Sequence, residues 1–258
     1  MSGGIALVQG ASRGIGLQFC KALLQPGNKV IATCRHPQSA AELQELKRQH
    51  PDRLTIMKLD VTSTRDIQQC AQEVEQSFNR LDLLINSSAM LHPSGKGETS
   101  LRDVSAEGLS LTLSTNTVGP LLMAKHFSPL LLKGNGVFGA QLPNKHSAIL
   151  INMSAKVGSI SDNGLGGWYS YRMSKAALNM ATKNLSVELA RGKKKVICVS
   201  MHPGTVDTDL SRPYHKNVPT EKLFSSQLSV NYLMKIIDGL SIDQTGKFYS
   251  WNGCEIPW

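Results

Sequence analysis

The 258-residue chain is 41% apolar and 18% charged, which excludes general disorder and leaves enough non-polar material for one large core. Its 28 basic residues against 19 acidic give a formal charge of +9, yet aromatics make up only 5% and no basic run is interleaved with them. The excess therefore reads as solvated surface and not as a nucleic-acid interface. Cys20, Cys34, Cys70, Cys198 and Cys254 are dispersed without a C-x-x-C pair or metal-ligand spacing, as expected for reduced thiols in the cytoplasm. A first apolar run begins at Ile5, and the longest such stretch, 121–132, is broken by Lys125 and His126. The expectation is a cytoplasmic protein with no leader and no membrane span. No Pro/Ser/Gly-rich linker divides the chain, so residues 1–258 are expected to form one α/β domain.

Residues 5–8 form a short apolar run of the kind found in buried parallel strands, leading straight into Gln9-Gly10-Ala11-Ser12-Arg13-Gly14-Ile15-Gly16. A helix carrying Ile15, Phe19, Ala22 and Leu23 follows and stops at Pro26-Gly27. Glycines at such a turn let backbone approach a ligand, and the next helix N-terminus offers free N–H groups to a pyrophosphate. The second strand, 30–34, ends where a dinucleotide-binding fold would place an acidic residue for the adenosine ribose. Arg35 stands there instead. A guanidinium suits a 2′-phosphate, and Arg13 could reach the same group, so NADP(H) is expected over NAD(H).

A helix over 38–49 and a third strand over 54–59 lead to Asp60-Val61-Thr62, where Asp60 could accept from an adenine amino group or cap the helix 66–78. The fourth strand, 81–85, ends in Asn86-Ser87-Ser88-Ala89, small enough to pack against a ribose or against the next strand. After a loop over 90–104, a long helical pattern runs through Leu109, Leu113 and 121–132. Asn116 lies inside it and needs partners if buried. Residues 133–146 read as an exposed excursion. A fifth strand, 148–152, leads to Ser154; a sixth, 196–201, leads to His202-Pro203-Gly204-Thr205-Val206-Asp207-Thr208; a last helix is expected over 220–239 and a last strand over 248–251.

Between strands five and six lies Tyr169-Ser170-Tyr171-Arg172-Met173-Ser174-Lys175, opening a further helical run. Tyr171 and Lys175, four apart, would share one helix face. An ammonium beside a phenol favours the phenolate, so the pair is expected to bring the Tyr171 pKa down from about 10 and make an acid/base catalyst.

In their order and spacing, the Gly10/Gly14/Gly16 turn, Asp60, Asn86, Asn116, Tyr171/Lys175 and the 203–208 segment resemble the short-chain dehydrogenase/reductases over essentially the whole chain. The run 166–175 and the Trp251-Asn252-Gly253 ending resemble the branch of C-factor and Sniffer-like carbonyl reductases. The resemblance implies a doubly wound Rossmann fold, a seven-stranded parallel sheet flanked by helices, and an oxidoreductase that moves hydride between NADP(H) and a small-molecule carbonyl. It implies catalytic roles for Tyr171, Lys175, Asn116 and a serine. Cofactor contacts would come from Gly10, Arg13, Gly14, Ile15, Gly16, Arg35, Asp60, Val61, Asn86, Tyr171, Lys175, Pro203, Gly204, Val206 and Thr208. Neither a metal nor a membrane is implied, and assembly as a homodimer or homotetramer is. Gln9 stands where the family usually has Thr, and Ala89 where it has Gly. In Asn152-Met153-Ser154-Ala155 the alanine occupies the usual place of the catalytic serine, leaving Ser154 as the nearest hydroxyl. Either Ser154 takes the role or turnover is weak, since losing one oriented donor costs about 10² to 10³ in rate. The weak-turnover alternative is a dinucleotide-binding protein that acts as a C-factor-like signal.

Overall fold

The computed structural model describes residues 3–140 and 146–258. In chain order the main elements are β1 (Ile5–Gln9), α1 (Gly14–Leu24), β2 (Lys29–Cys34), α2 (Ala41–Gln49), β3 (Leu54–Lys58), α3 (Thr64–Phe78) and β4 (Leu83–Asn86). There follow α4 (Ala106–Leu113), α5 (Gly119–Leu132), β5 (Ala148–Met153), α6 (Tyr169–Leu189), β6 (Val196–His202), β7 (Thr205–Val206), β8 (Leu223–Phe224), α7 (Ser226–Gly239) and β9 (Phe248–Ser250). Seven strands pair in parallel in the order β3-β2-β1-β4-β5-β6-β9, a doubly wound Rossmann sheet, while β7 and β8 form a separate two-stranded pair.

Alternation along the strands builds two cores. Ala6 and Val8 of β1 face α1 and α7 with Phe19, Leu23, Val230 and Leu233, whereas Ile5 and Leu7 face α3 and α5 with Ile67, Val74, Met123 and Phe127. Coverage on both faces explains why β1, β4 and β5 are buried throughout and read as unbroken apolar runs. The strand order reverses between β1 and β4. Ligands of open α/β sheets sit at the carboxyl ends of the strands beside that switch.

Several element ends shift by one to three residues from the sequence expectation, and four departures stand out. Fourth-strand pairing begins at Leu83, just after Asp82, whose backbone bonds Ile5 and Ile149 and whose carboxylate accepts from the Ile5 and Asn135 N–H groups at the opposite sheet edge. The long helix after residue 104 is broken by a π-helical segment, Ser114–Val118, that contains Asn116. The last helix starts at Ser226, not near 220, because Ser225 caps it by accepting from the Leu228 N–H and residues 223–224 pair with β7. The 133–146 excursion is packed where it is described: Phe138 is buried against Gly4, and Ala140 N–H donates to the Leu240 carbonyl. Residues 141–145 lie outside the described residues.

A Cβ added at Gly16 would land on the Gly10 carbonyl oxygen, which is backbone and cannot give way. Gly16→Ala should force α1 off the turn and lower stability by about 1–3 kcal/mol, read as a fall in the urea midpoint at unchanged slope.

Candidate active site

At the end of β1 the chain turns through Gly10 and Gly14, both left-handed at φ +84° and +57°. The Gly10 and Ala11 N–H groups donate to the Thr33 carbonyl at 3.0 and 2.9 Å, so the turn is tied to the end of β2. On its other side it presses against Ser88, which leaves no room for a Cβ at Gly10. Helix α1 opens with no side-chain cap and no acidic residue in its first turn, so the N–H groups around Ile15 and Gly16 keep their positive end for an anion. Thr208, beyond β6, comes over Gly14: its Cγ2 lies 3.4 Å from where a Cβ would be. The cradle expected from the glycine spacing is therefore present.

Two residues expected near an adenosine lie at the ends of the neighbouring strands. Arg35, just past β2, is exposed and makes no ion pair or hydrogen bond with the described residues. Asp60, just past β3, accepts through Oδ1 from the Thr62 N–H and hydroxyl at 2.9 and 2.7 Å, while Ser63 caps α3. The capping alternative for Asp60 thus falls to Ser63, and Oδ2 of Asp60 has no partner among the described residues. The Val61 side chain is buried where α5 begins, tight against Gly119, so only its backbone is left for a ligand. Arg13, expected beside Arg35, is ion-paired with Asp209 at 3.0 Å, and Asp209 also holds Arg212 at 2.7 Å. These side chains are largely exposed, so such pairs stabilise little and exchange readily.

Beneath the cradle runs a buried polar chain. Asn86 donates to Asn152 Oδ1 at 2.8 Å, Asn152 donates to Thr182 Oγ1 at 2.9 Å, and Ser200 donates to the same hydroxyl at 3.0 Å. Asn86 therefore spends its side-chain amide on β5 and leaves Oδ1 buried without a partner. Gln9, the departure from the usual Thr, is 1% exposed; its amide donates to Ser88 Oγ at 2.6 Å and its carbonyl accepts from Ser88 N–H. The substitution ties the ends of β1 and β4 together.

Tyr171 and Lys175 meet beside the end of β5. Lys175 is 1% exposed, its Nζ donates to the Met153 carbonyl at 2.8 Å, and Nζ lies 5.7 Å from the Tyr171 ring centroid. An ammonium has three donors, and this is its one protein acceptor among the described residues. The Tyr171 hydroxyl has no protein hydrogen bond among those residues. The expected direction of the phenol's shift is not met: burial pushes Tyr171 above its usual pKa and brings Lys175 down to about 7. Desolvation disfavours the charged form of each group and outweighs their mutual attraction here.

Asn116 is fully buried in the π-helical segment. Its amide clamps Met90 through both N–H and carbonyl, at 2.9 and 2.8 Å, and donates to Ser174 Oγ on α6 at 2.9 Å. Its side chain is thus taken up. Its carbonyl lacks the ordinary i+4 donor, because Pro120 has no N–H. At the end of β5, Ala155 packs with Leu91 against Tyr171, whereas Ser154 Oγ donates to Asn179 Oδ1 at 2.7 Å and is not brought to the phenol. Neighbouring residues at a strand end point to opposite sides, and these two do.

Several shaping residues were not singled out from the sequence. Trp168 and Tyr214 pack at a tilt of 51° with 4.6 Å between centroids, and Trp168 meets Tyr171 edge-on at 6.2 Å. The Tyr214 hydroxyl accepts from Gly97 N–H at 2.7 Å. Trp168 sits at φ +51°, ψ 43°, a left-handed conformation that costs a bulky residue of order 1–3 kcal/mol. The two glycines before it share that hand, and this Gly-Gly-Trp run was the available signal. Gly204, at φ +80°, carries Phe224 and Trp251 against it and orients the segment with Pro203 and Val206.

An uncapped helix over a glycine turn at the sheet's switch point, with a buried Tyr/Lys pair alongside, defines a dinucleotide-dependent oxidoreductase scaffold. The short chain dehydrogenase family model matches residues 4–219, and the chain belongs to that family. The NADPH-bound carbonyl reductase from chicken fatty liver superposes with a TM-score of 0.85 at 34% identity, covering 100% of both chains. The carbonyl reductase Sniffer of D. melanogaster does so at 0.86 and 32%, again over 100% of each. C-signal of Myxococcus xanthus is 32% identical over 69% of this chain and 93% of its own length.

The depressed Lys175 pKa makes stability depend on pH with a definite sign. Between about 7 and 10.5 the unfolded chain binds a proton that the folded chain resists, so the folding penalty grows as pH falls through that window and is complete below about 7. Lys175→Met should therefore gain urea stability relative to wild type at pH 7 compared with pH 10. A difference that does not change with pH would contradict the burial assignment.

Proposed function

We propose that residues 1–258 act as one cytoplasmic, NADP(H)-dependent carbonyl reductase. The observation that carries this reading is the Tyr171 hydroxyl, unbonded among the described residues, beside a buried Lys175 at the edge where the glycine turn opens. The cofactor fits the residues present: the close turn that only glycine allows at Gly10 and Gly16 brings backbone to the start of α1, α1 lacks a cap, and Arg35 is a guanidinium unpaired among the described residues where a 2′-phosphate would lie. Gly10, Gly14, Ile15 and Gly16 would hold the pyrophosphate, with Arg13 free to join once it releases Asp209. Asp60 and the Val61 backbone would flank the adenine, the Asn86 strand end the ribose, and Pro203, Gly204, Val206 and Thr208 the nicotinamide end. That the chicken liver homologue is NADPH-bound supports the same choice. When bound, NADP(H) supplies or takes up the hydride.

The chain's own part is a proton. A phenol whose pKa is raised keeps its proton at neutral pH, which is the form that can donate to the oxygen of a carbonyl being reduced. Lys175, poised near neutrality, has donors left for ribose hydroxyls and for the phenolate that remains. Asn116 holds Met90 and α6 in place and offers its carbonyl to a relay water. Ser154 enters the site only by exchanging Asn179 for substrate. Leu91, Ala155, Val157, Trp168, Leu210 and Tyr214 gather round Tyr171, which suits a small or medium apolar carbonyl compound. Met173, Met180 and Val187, seven residues apart and each at least half exposed on α6, suit assembly as a homodimer or homotetramer. Among the described residues no helix is long and apolar enough to cross a membrane.

A second reading is favoured by Ala155 and by the likeness to C-signal: a dinucleotide-binding protein with little turnover, acting by binding or as a signal. Purified protein given NADPH and a panel of aldehydes, ketones and quinones separates the two. The first reading expects oxidation of NADPH that Tyr171→Phe abolishes; tight binding without turnover supports the second. Arg35→Asp should erase the preference for NADPH over NADH in kcat/KM, and an unchanged preference would refute the phosphate assignment. Ala155→Ser, placing a hydroxyl beside the phenol, should raise kcat by about 10-fold or more, while Ser154→Ala should leave it within about threefold.

A further inference from the structure

Helix α6 carries the catalytic pair, yet its own sequence does not cap it. The N-cap position is Trp168, which offers no capping side-chain bond, and the first turn holds no acidic residue. The missing acceptor comes from 72 residues away. Glu98 is 3% exposed, and its Oε1 accepts from Ser170 N–H at 3.1 Å and from the Ser170 hydroxyl. Its backbone carbonyl accepts from Trp168 N–H at 2.6 Å. One residue thus grips the helix start twice, fixing the left-handed Trp168 and the N–H that precedes Tyr171. A carboxylate at this place also complements the positive end of the helix dipole.

The surroundings keep that carboxylate charged. Burial opposes ionisation, but the hydrogen bonds from Ser170 and the backbone, with His92 Nε2 at 4.0 Å, outweigh it and hold Glu98 below the usual carboxylate range. His92 Nε2 and Glu98 Oε2 are both buried without another partner. The next residue back, Gly97, carries the Trp168 indole against its Cα and gives its N–H to Tyr214.

From this geometry we propose that Glu98 is a positioning residue for the reduction: it caps the catalytic helix from the loop after β4 and so sets where the Tyr171 phenol stands. The proposal rests on the catalytic reading of Tyr171, but one of its tests does not. Glu98→Ala should speed amide hydrogen exchange over residues 168–173 by about 10-fold or more, whether or not any substrate is turned over. With the best substrate of the carbonyl panel, kcat should fall by about 10- to 100-fold while the Kd for NADPH stays within about twofold, because most of the proposed cofactor contacts lie on other loops and Lys175 sits more than a turn beyond the cap. Glu98→Gln, which keeps an acceptor, should recover most of both losses. If Glu98→Ala does not fold, Ser170→Ala removes one of the two bonds and should give a smaller change of the same kind. Wild-type exchange over 168–173 in the variant that folds, or a loss of kcat matched by an equal loss of NADPH affinity, would overturn the assignment. A wild-type chain that turns over no carbonyl, combined with accelerated exchange in Glu98→Ala, would remove the catalytic reading and leave the cap.

Discussion

A lysine amine and a tyrosine phenol are carried out of water together at the carboxyl edge of the sheet, and much of the molecule serves to keep them there. Burying two ionisable groups costs more than their attraction returns, and both therefore lean toward neutrality. That cost falls on the sheet, whose central strands are covered on both faces and supply the rigid floor. The Asn86–Asn152–Thr182–Ser200 chain satisfies most of the polar groups this floor would otherwise strand.

Neutrality in the resting protein is also what reduction of a carbonyl asks for. A phenol already ionised would have no proton to give, whereas a protonated one beside an amine near its midpoint can give it and be reprotonated. Ala155 stands at the place where the resemblance puts a serine, and it packs with Leu91 against Tyr171.

The sheet and the site differed in how much of each could be read from the chain. Local spacing revealed what is local: Gly10, Gly14 and Gly16 in one turn, Tyr171 and Lys175 on one helix face, and apolar runs for strands buried on both sides. What escaped depends on partners distant in sequence. Nothing near Glu98 announces that it caps a helix 72 residues on, and nothing near Gln9 announces that it holds Ser88. The Tyr171 shift came out in the opposite direction for the same reason, because spacing gives proximity to Lys175 but only the folded core gives depth of burial. The π-helical break at Asn116 falls on the polar run Ser114-Thr115-Asn116-Thr117, just ahead of Gly119-Pro120, and those local signs mark an interruption without giving its geometry.

Transfer of deuterium from NADPH labelled at nicotinamide C4 to the carbonyl carbon of a ketone, followed by mass spectrometry of the alcohol, is the most direct test of the account. The expected result is label in the product, in one of the two C4 stereochemical series, dependent on the Tyr171 hydroxyl. Folded protein that binds labelled NADPH yet leaves all of its label in the cofactor with every carbonyl offered would contradict it.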